Sequence, residues 1–457
     1  MLKLNPFLLL FLLLLLSAPA AAGPTYGIDV SPDETNIAVF AIYPRLLGRT
    51  AIPGGMRFDL STSGRRTFAL SRPIEKGPLS SLSIAQKGTR MQVVVRWRFP
   101  VSITSSVEGM RLVMNARHDV THKTKIAVRD GTVFQRIYRW TPAGPEMINV
   151  LRLDLRKVSL RPQVAANFNR ETVSSIARRW GAIAAINGSF FSMRNGQPIG
   201  LLVLDGQIIS SSFYNRSVFG IRHDGTCFID NARLLAAVSL DNGRAFVANG
   251  VNQAPGHNRT VLYTHHFGKK TRTKPDPSRR EFAIAPDGTV QKVGLGNSEI
   301  PEDGYVLSAQ GSAIWKLKKF IRIGTRAQVY TNLNGIWKGI RHAIGGGPTL
   351  VHEGKVKVTA TRERFSSQIT RGRAPRSAIG YAGKNQVILV TVDGRQSRSA
   401  GMTLYELARL MRDLGAKEAI NLDGGGSTTM YLRGHIVNWV SGGSERPVQN
   451  ALLVTGK

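Results

Sequence analysis

Asp-Gly occurs seven times in the chain, at Asp130, Asp205, Asp224, Asp287, Asp303, Asp393 and Asp423. The pair suits the positive-φ positions of tight hairpin turns, so its repetition points to short antiparallel strands. The segments "IGLLVLDGQIIS", "SVFGIRHDGTCFI", "FAIAPDGTVQKV" and "GPTLVHEGKVKV" each read as strand, two-residue turn, strand. Helical spacing is confined to a few segments. In "RETVSSIARRW", Val173, Ile176, Ala177 and Trp180 share a face behind the cap candidates Asn169 and Thr172. In "TLYELARLMRDLGA", Leu404, Leu407, Ala408, Met411 and Leu414 do the same, and Gly415 stops the helix. The expected class is α+β: an amino-terminal all-β unit, then a mixed or antiparallel sheet domain with a few helices.

At 457 residues, two folded units are expected. "MLKLNPFLLLFLLLLLSAPAAAG" carries one early lysine, a leucine-rich run and small residues ending at Ala22, the layout of a secretory signal peptide over 1–22. The apolar run is short for a spanning anchor, and Ser17 and Pro19 interrupt it. Residues 23–143 alternate apolar and polar positions, as in "MQVVVRWRF", and read as a β-rich accessory domain. "TPAGPE" marks a boundary, and 147–457 forms the second domain. Gly268–Arg280, "GKKTRTKPDPSRR", reads as an exposed basic loop.

Sixty-two Lys and Arg against 29 Asp and Glu give a net charge of +33, a field that draws polyanions. For an exported chain the candidate partners are a phosphate-containing or anionic glycan, the cell wall or an anionic membrane surface. Nucleic acid is set aside, because export and the lack of a reading module argue against it. The single cysteine, Cys227, excludes an internal disulfide. His118 and His122 lack the acid or cysteines of a zinc site, and His265 and His266, read as strand neighbours, would face opposite ways.

Two of the seven Asp-Gly pairs differ from hairpin punctuation. Asp393 and Asp423 each end a strongly apolar strand and open into Gly- and Ser-rich loops, "VDGRQSRSAG" and "LDGGGSTTM". An acid at the end of a buried strand is rigidly presented. Three other loops share this character. "AAINGSFFS" ends a strand in Asn187 and follows it with two aromatics, "AIGGGPTLV" offers the amides of Gly345, Gly346 and Gly347, and "RGRAPRSAIG" carries Arg371, Arg373 and Arg376 toward the Asp393 strand. Bare amides and guanidinium forks both suit phosphate. No nucleophile elbow, P-loop, zinc-protease helix or EF-hand loop is present.

From about Val150 to Val454 these motifs, with "GIRHDGT" and "ERPVQNALLV", occur in the order and spacing of the phosphodiester glycosidases, the family related to N-acetylglucosamine-1-phosphodiester alpha-N-acetylglucosaminidase. The chain resembles the secreted bacterial type. The resemblance implies hydrolysis of a sugar 1-phosphodiester in an extracytoplasmic glycan or glycoconjugate, with the protein secreted, periplasmic or held in the envelope. Glycosidases commonly use two carboxylates. A phosphate monoester, with a second pKa of about 6, leaves with less protonation than an alcohol, so arginines can replace part of the acid's work.

On this reading Asp423 and Asp393 face one pocket, one as base or nucleophile and the other gripping sugar hydroxyls or serving as acid. Arg376, with Arg373 or Arg446, clamps the phosphate, helped by the amides of Gly345–Gly347 or of Gly424, Gly425 and Gly426. Asn187, Ser427 and Thr428 orient the substrate. No cofactor is expected; a divalent cation such as calcium would suit the acids, but no ligand set is legible. Two other functions fit the charge: hydrolysis of an acidic exopolysaccharide, and non-catalytic binding of anionic envelope polymers.

Overall fold

The computed structural model describes residues 26–30, 34–75, 79–97, 101–117, 122–141, 143–194, 196–211, 214–254 and 256–457. The expected signal segment and His118 lie outside these residues. Strands dominate, and the α helices among the described residues are Val173–Arg179, Ala313–Lys318, Ser367–Arg371 and Leu404–Asp413. The chain divides into two compact units, one running to His122 and including Tyr138–Pro145, the other Lys123–Ile137 with Glu146–Lys457.

In the first unit, Tyr26–Val30, Glu34–Phe40, Arg111–Arg117 and Ser102–Glu108 form a four-stranded antiparallel sheet. A three-stranded sheet is built on two 19-residue strands, Gly55–Pro73 and Leu79–Trp97. The alternation of "MQVVVRW" is used as the pleat requires: Met91, Val93 and Val95 are buried while Gln92 and Arg96 reach solvent. Phe58, Leu60, Leu82 and Ile84 complete this core.

The second unit contains four larger sheets and one of three strands. The expected hairpins form: Leu202–Leu204 with Gln207–Ser210, Ser217–Ile221 with Cys227–Asn231, Arg279–Ile284 with Val290–Gly294, and Thr349–His352 with Lys355–Val356. At the first of them Asp205 and Gly206 take φ of 45° and 82°, the double left-handed turn the dipeptide favours. Helix Leu404–Asp413 is closed by a capping box in which Thr403 accepts from the Glu406 amide and Glu406 accepts from the Thr403 amide. Its Leu404, Leu407, Ala408 and Met411 are buried beside Ile388, Val390 and Ala419 of the central sheet. Each buried leucine or methionine contributes roughly 1.5–3 kcal/mol on burial, which fixes the sheet that carries the acidic loops.

Two expectations change. The segment 268–280 is more than an exposed basic loop: Thr271 and Thr273 are buried and each donates its hydroxyl to the fully buried Glu281, at 2.9 Å. An unpaired buried carboxylate would be costly, so local sequence is spent on satisfying it. His265 and His266 lie on a 3-10 turn, not a strand, and their rings sit 4.0 Å apart. Cys227 is buried, which pushes its thiol up to about 12.

Candidate active site

Strand Arg376–Gly383 lies between Gln386–Val392 and Glu418–Asn421 in the eight-stranded sheet. The register pairs Arg376 with Val392 and Ala378 with Asn421, so both acidic loops leave the sheet at one end, beside the start of the middle strand. Pro375 sits between them. A side chain at Gly394 would meet its nitrogen at 2.7 Å, one at Gly424 its oxygen at 2.9 Å, and the Gly425 amide donates to that oxygen at 2.8 Å. Both Asp-Gly pairs are thus needed for close backbone approach.

Asp423 is recessed but reaches solvent in part. Its backbone is held by Gly188 O, 3.1 Å from the Asp423 amide, and by Asn187 Nδ2, which donates to Asp423 O at 2.6 Å. Asn187 Oδ1 accepts from Ser377 Oγ at 2.7 Å and from the Thr429 amide at 3.2 Å. Burial pushes the Asp423 carboxyl up to about 6, against the opposing influence of Ser427, the Gly424 amide and Arg446.

Asp393 is fully buried. Its Oδ2 accepts from the Trp439 amide at 3.0 Å, its carbonyl accepts from Ser399 Oγ at 2.7 Å, and Oδ1 has no hydrogen-bond partner. Burial lifts its carboxyl to about 7, with the Trp439 amide and Arg136 pulling the other way. The loop carrying it is tied to residues 437–440 by Gln396 Nε2, 3.1 Å from Trp439 O, and by Arg398 stacked 4.0 Å over the Trp439 ring.

The expected phosphate clamps divide sharply. Arg376 is buried; its Nε donates to Met402 O at 2.8 Å, and its Nη2 donates to Ile369 O and Gly372 O at 2.8 and 2.6 Å. Desolvation lowers it to about 10. Arg373 bridges Glu406 and Glu146 at 2.8 and 3.2 Å. Both guanidiniums are spent on the fold, so the assignment of Arg376 and Arg373 to the phosphate is corrected. Arg446 stands differently. Its guanidinium covers Gly426 and acts electrostatically on Asp423, with no hydrogen bond or ion pair among the described residues. Arg395, which sequence reasoning passed over, is exposed, equally unpaired, and lies within 3.5 Å of where a Gly425 side chain would begin. Its signal in the sequence was its place directly after Asp393-Gly394.

The glycine runs are filled by protein. A side chain at Gly345 would strike the Leu201 backbone, one at Gly346 Asn421 O, and one at Gly347, whose φ is 108°, Glu363 and Phe365. Ser427 and Thr428 are buried; Ser427 Oγ makes no formed hydrogen bond, and Thr428 Oγ1 accepts from Ser377 at 3.4 Å. The expectation that Asn187, Thr428 and the Gly345–Gly347 amides touch substrate therefore gives way to a supporting role. The two aromatics after Asn187 also part company. Phe191 joins a core cluster, while Phe190 lies 5.6 Å from Phe365, and both rings sit against the Arg216 guanidinium. Among the described residues no group of three or more His, Cys, Asp or Glu side chains converges to hold a metal.

The fold and site define a mostly-β protein that holds a carboxyl of raised pKa, flanked by unpaired guanidiniums, at the end of a central sheet. Residues 278–455 match the model of the phosphodiester glycosidase family. It is 24% identical over 277 residues to N-acetylglucosamine-1-phosphodiester alpha-N-acetylglucosaminidase of Mus musculus, covering 60% of this chain and 37% of the relative. It is 34% identical over 120 residues to the SPbeta prophage-derived protein YomE of Bacillus subtilis, 26% of this chain and 18% of the relative. The matches therefore span well under half the length of these relatives. The fold is shared with a hypothetical protein from Synechocystis, at a TM-score of 0.68 and 22% identity over 95% of this chain and 81% of the other.

Proposed function

We propose that the protein hydrolyses the bond between the anomeric carbon of a sugar and a phosphate oxygen of a phosphodiester, in a glycan or glycoconjugate outside the cytoplasm. The observation that carries this reading is Asp423, a recessed carboxyl held up to about 6 beside the unpaired guanidinium of Arg446. Above that pH the ionised carboxylate attacks the anomeric carbon or activates water. The phosphate monoester departs as an anion, stabilised by Arg446 and Arg395 in place of a strong acid. Asp393, with no exposed surface, holds the neighbouring loop instead of reaching the sugar. The match of residues 278–455 to the phosphodiester glycosidase family and the activity named for the mouse relative support the reaction.

On the same reading, Glu146–Lys457 with Lys123–Ile137 is the catalytic unit, delivered outside the cytoplasm by the signal segment. The unit running to His122 with Tyr138–Pro145 is a β-rich accessory domain, a boundary that moves the strands over 123–137 out of the accessory domain expected at 23–143. Its basic strand positions and the net charge of +33 suit association with cell wall or an anionic membrane surface.

The test is incubation with the methyl phosphodiester of N-acetylglucosamine 1-phosphate in 18O-labelled water. The expected products are free N-acetylglucosamine carrying the label and unlabelled methyl phosphate. Label in the phosphate would show attack at phosphorus and refute the glycosidase reading. Cleavage of a uronate polymer with no phosphomonoester released would favour the exopolysaccharide reading. Polymer binding that survives loss of both aspartates, with no product, would favour a binding protein.

A further inference from the structure

A cleft of about 830 Å³ in the second unit lies outside the acidic loops and is lined by a one-sided set of groups. Three asparagines have their amide orientation fixed by the backbone. Asn249 Oδ1 accepts from the Thr260 amide at 2.9 Å, Asn258 Oδ1 from the Ser312 amide at 2.9 Å, and Asn334 Oδ1 from the Arg233 amide at 2.6 Å. Because each oxygen faces an N–H, the NH₂ end of each side chain is the one left over. None of the three NH₂ groups has an acceptor among the described residues. The guanidiniums of Arg233 and Arg362 line the same cleft and make no hydrogen bond, ion pair or ring contact there. The one carboxylate, Asp230, is engaged by the Asn231 amide at 2.7 Å and pairs with neither arginine. Against these donors and positive charges the lining sets one carboxylate, Asp230, and the amides of Asn215 and Asn231.

Ring contacts link the cleft to the loop that follows Asn187. Tyr214 lines the cleft, and Arg216 stacks on Tyr214 at 4.8 Å, on Phe365 at 4.1 Å and on Phe190 at 5.6 Å. Phe190 stands two residues after Gly188, whose carbonyl holds the Asp423 amide.

We propose that this cleft is a binding site for an oxyanion-bearing glycan, taking the chain that extends from the sugar held at Asp423. The link to Asp423 rests on the proposed hydrolysis; the binding itself does not. Amide NH₂ groups donate to hydroxyl and ring oxygens, and the arginine forks take carboxylate or phosphate oxygens two at a time. Its volume falls within the range of sites that enclose small ligands, enough for a few sugar units.

The test is calorimetric titration of the full chain with tetragalacturonate, a glycerol phosphate tetramer, neutral maltotetraose and a thymidine tetranucleotide. At least one acidic oligomer should bind about tenfold more tightly than maltotetraose, and Arg233→Ala/Arg362→Ala should weaken it by about tenfold or more. Tetragalacturonate against glycerol phosphate decides whether carboxylate or phosphate is the preferred oxyanion. Asn258→Asp keeps the turn acceptor but replaces a donor with a charge, and should weaken binding with melting unchanged. Lys292→Ala/Lys316→Ala removes the same charge elsewhere and should change affinity by less than about twofold. Equal loss in the two double variants would reduce the effect to the overall charge and overturn the site. So would maltotetraose binding as well as the acids, or the tetranucleotide binding best. Because affinity is read without turnover, failure here leaves the hydrolysis test standing, and failure of hydrolysis leaves this result intact.

Discussion

Asn187 Nδ2 donates to the backbone carbonyl of Asp423 at 2.6 Å, so the strand Ala184–Asn187 fixes where the acidic loop begins. The same side chain accepts from Ser377 and Thr429, which makes one buried amide the junction of three segments. Asn187→Ala should lower kcat by roughly a hundredfold with a much smaller change in KM, because it shifts the carboxyl without removing a substrate contact. Steady-state kinetics on the methyl phosphodiester check this; a rise in KM alone would return Asn187 to the substrate.

Asp423→Asn should abolish turnover while circular dichroism and melting stay near wild type. In the wild type, kcat/KM should rise with pH through a pKa of about 6, since burial holds the carboxyl up and the reaction needs it ionised. A limb that falls through that pH would reverse the role to general acid.

Asp393 carries a stability signature. Burial raises its pKa in the fold to about 7, above the ordinary carboxylate value, so the folded protein binds a proton the unfolded chain has released. Its contribution is most favourable below about pH 4 and is lost as pH rises toward 7. Asp393→Asn should therefore gain stability relative to wild type as pH increases, by on the order of a few kcal/mol at pH 8. Denaturant unfolding at pH 5 and pH 8 measures the difference; a gap that shrinks with pH would show that Asp393 is stabilised as an anion.

Arginine substitutions should separate chemistry from folding. Arg446→Ala and Arg395→Ala should each reduce kcat/KM by more than about tenfold and leave melting nearly unchanged, because no hydrogen bond or ion pair among the described residues is lost. Arg376→Ala removes the donor to the carbonyls of Met402, Ile369 and Gly372 that ties three segments together, and should cost on the order of a few kcal/mol of stability. Comparison of melting and kinetics for the three variants decides which guanidiniums meet the phosphate.

Much of the fold was legible in the sequence because its determinants are local. Asp-Gly turns, alternating apolar positions and the apolar face of helix Leu404–Asp413 depend on residues within a few positions of one another. That Asp393 and Asp423 each follow an apolar strand of the central sheet was also legible, since an acid ending an apolar strand is a local pattern. Which groups remain free was not. A guanidinium in sequence carries no mark of its partners, so Arg376 looked like a clamp until the chain folded three carbonyls onto it, and Arg395 offered only its place after Asp393-Gly394 until the fold set it beside Gly425. The glycines followed the same rule: their composition announced close approach, but the backbone they approach, Pro375, Leu201 and Asn421, is supplied by distant segments. Sequence by itself determined the turns, the pattern of strands and the two acidic loops. Only the tertiary structure decided which side chains are consumed by the fold and which are left for a ligand, because hydrogen-bond satisfaction is a property of neighbours in space.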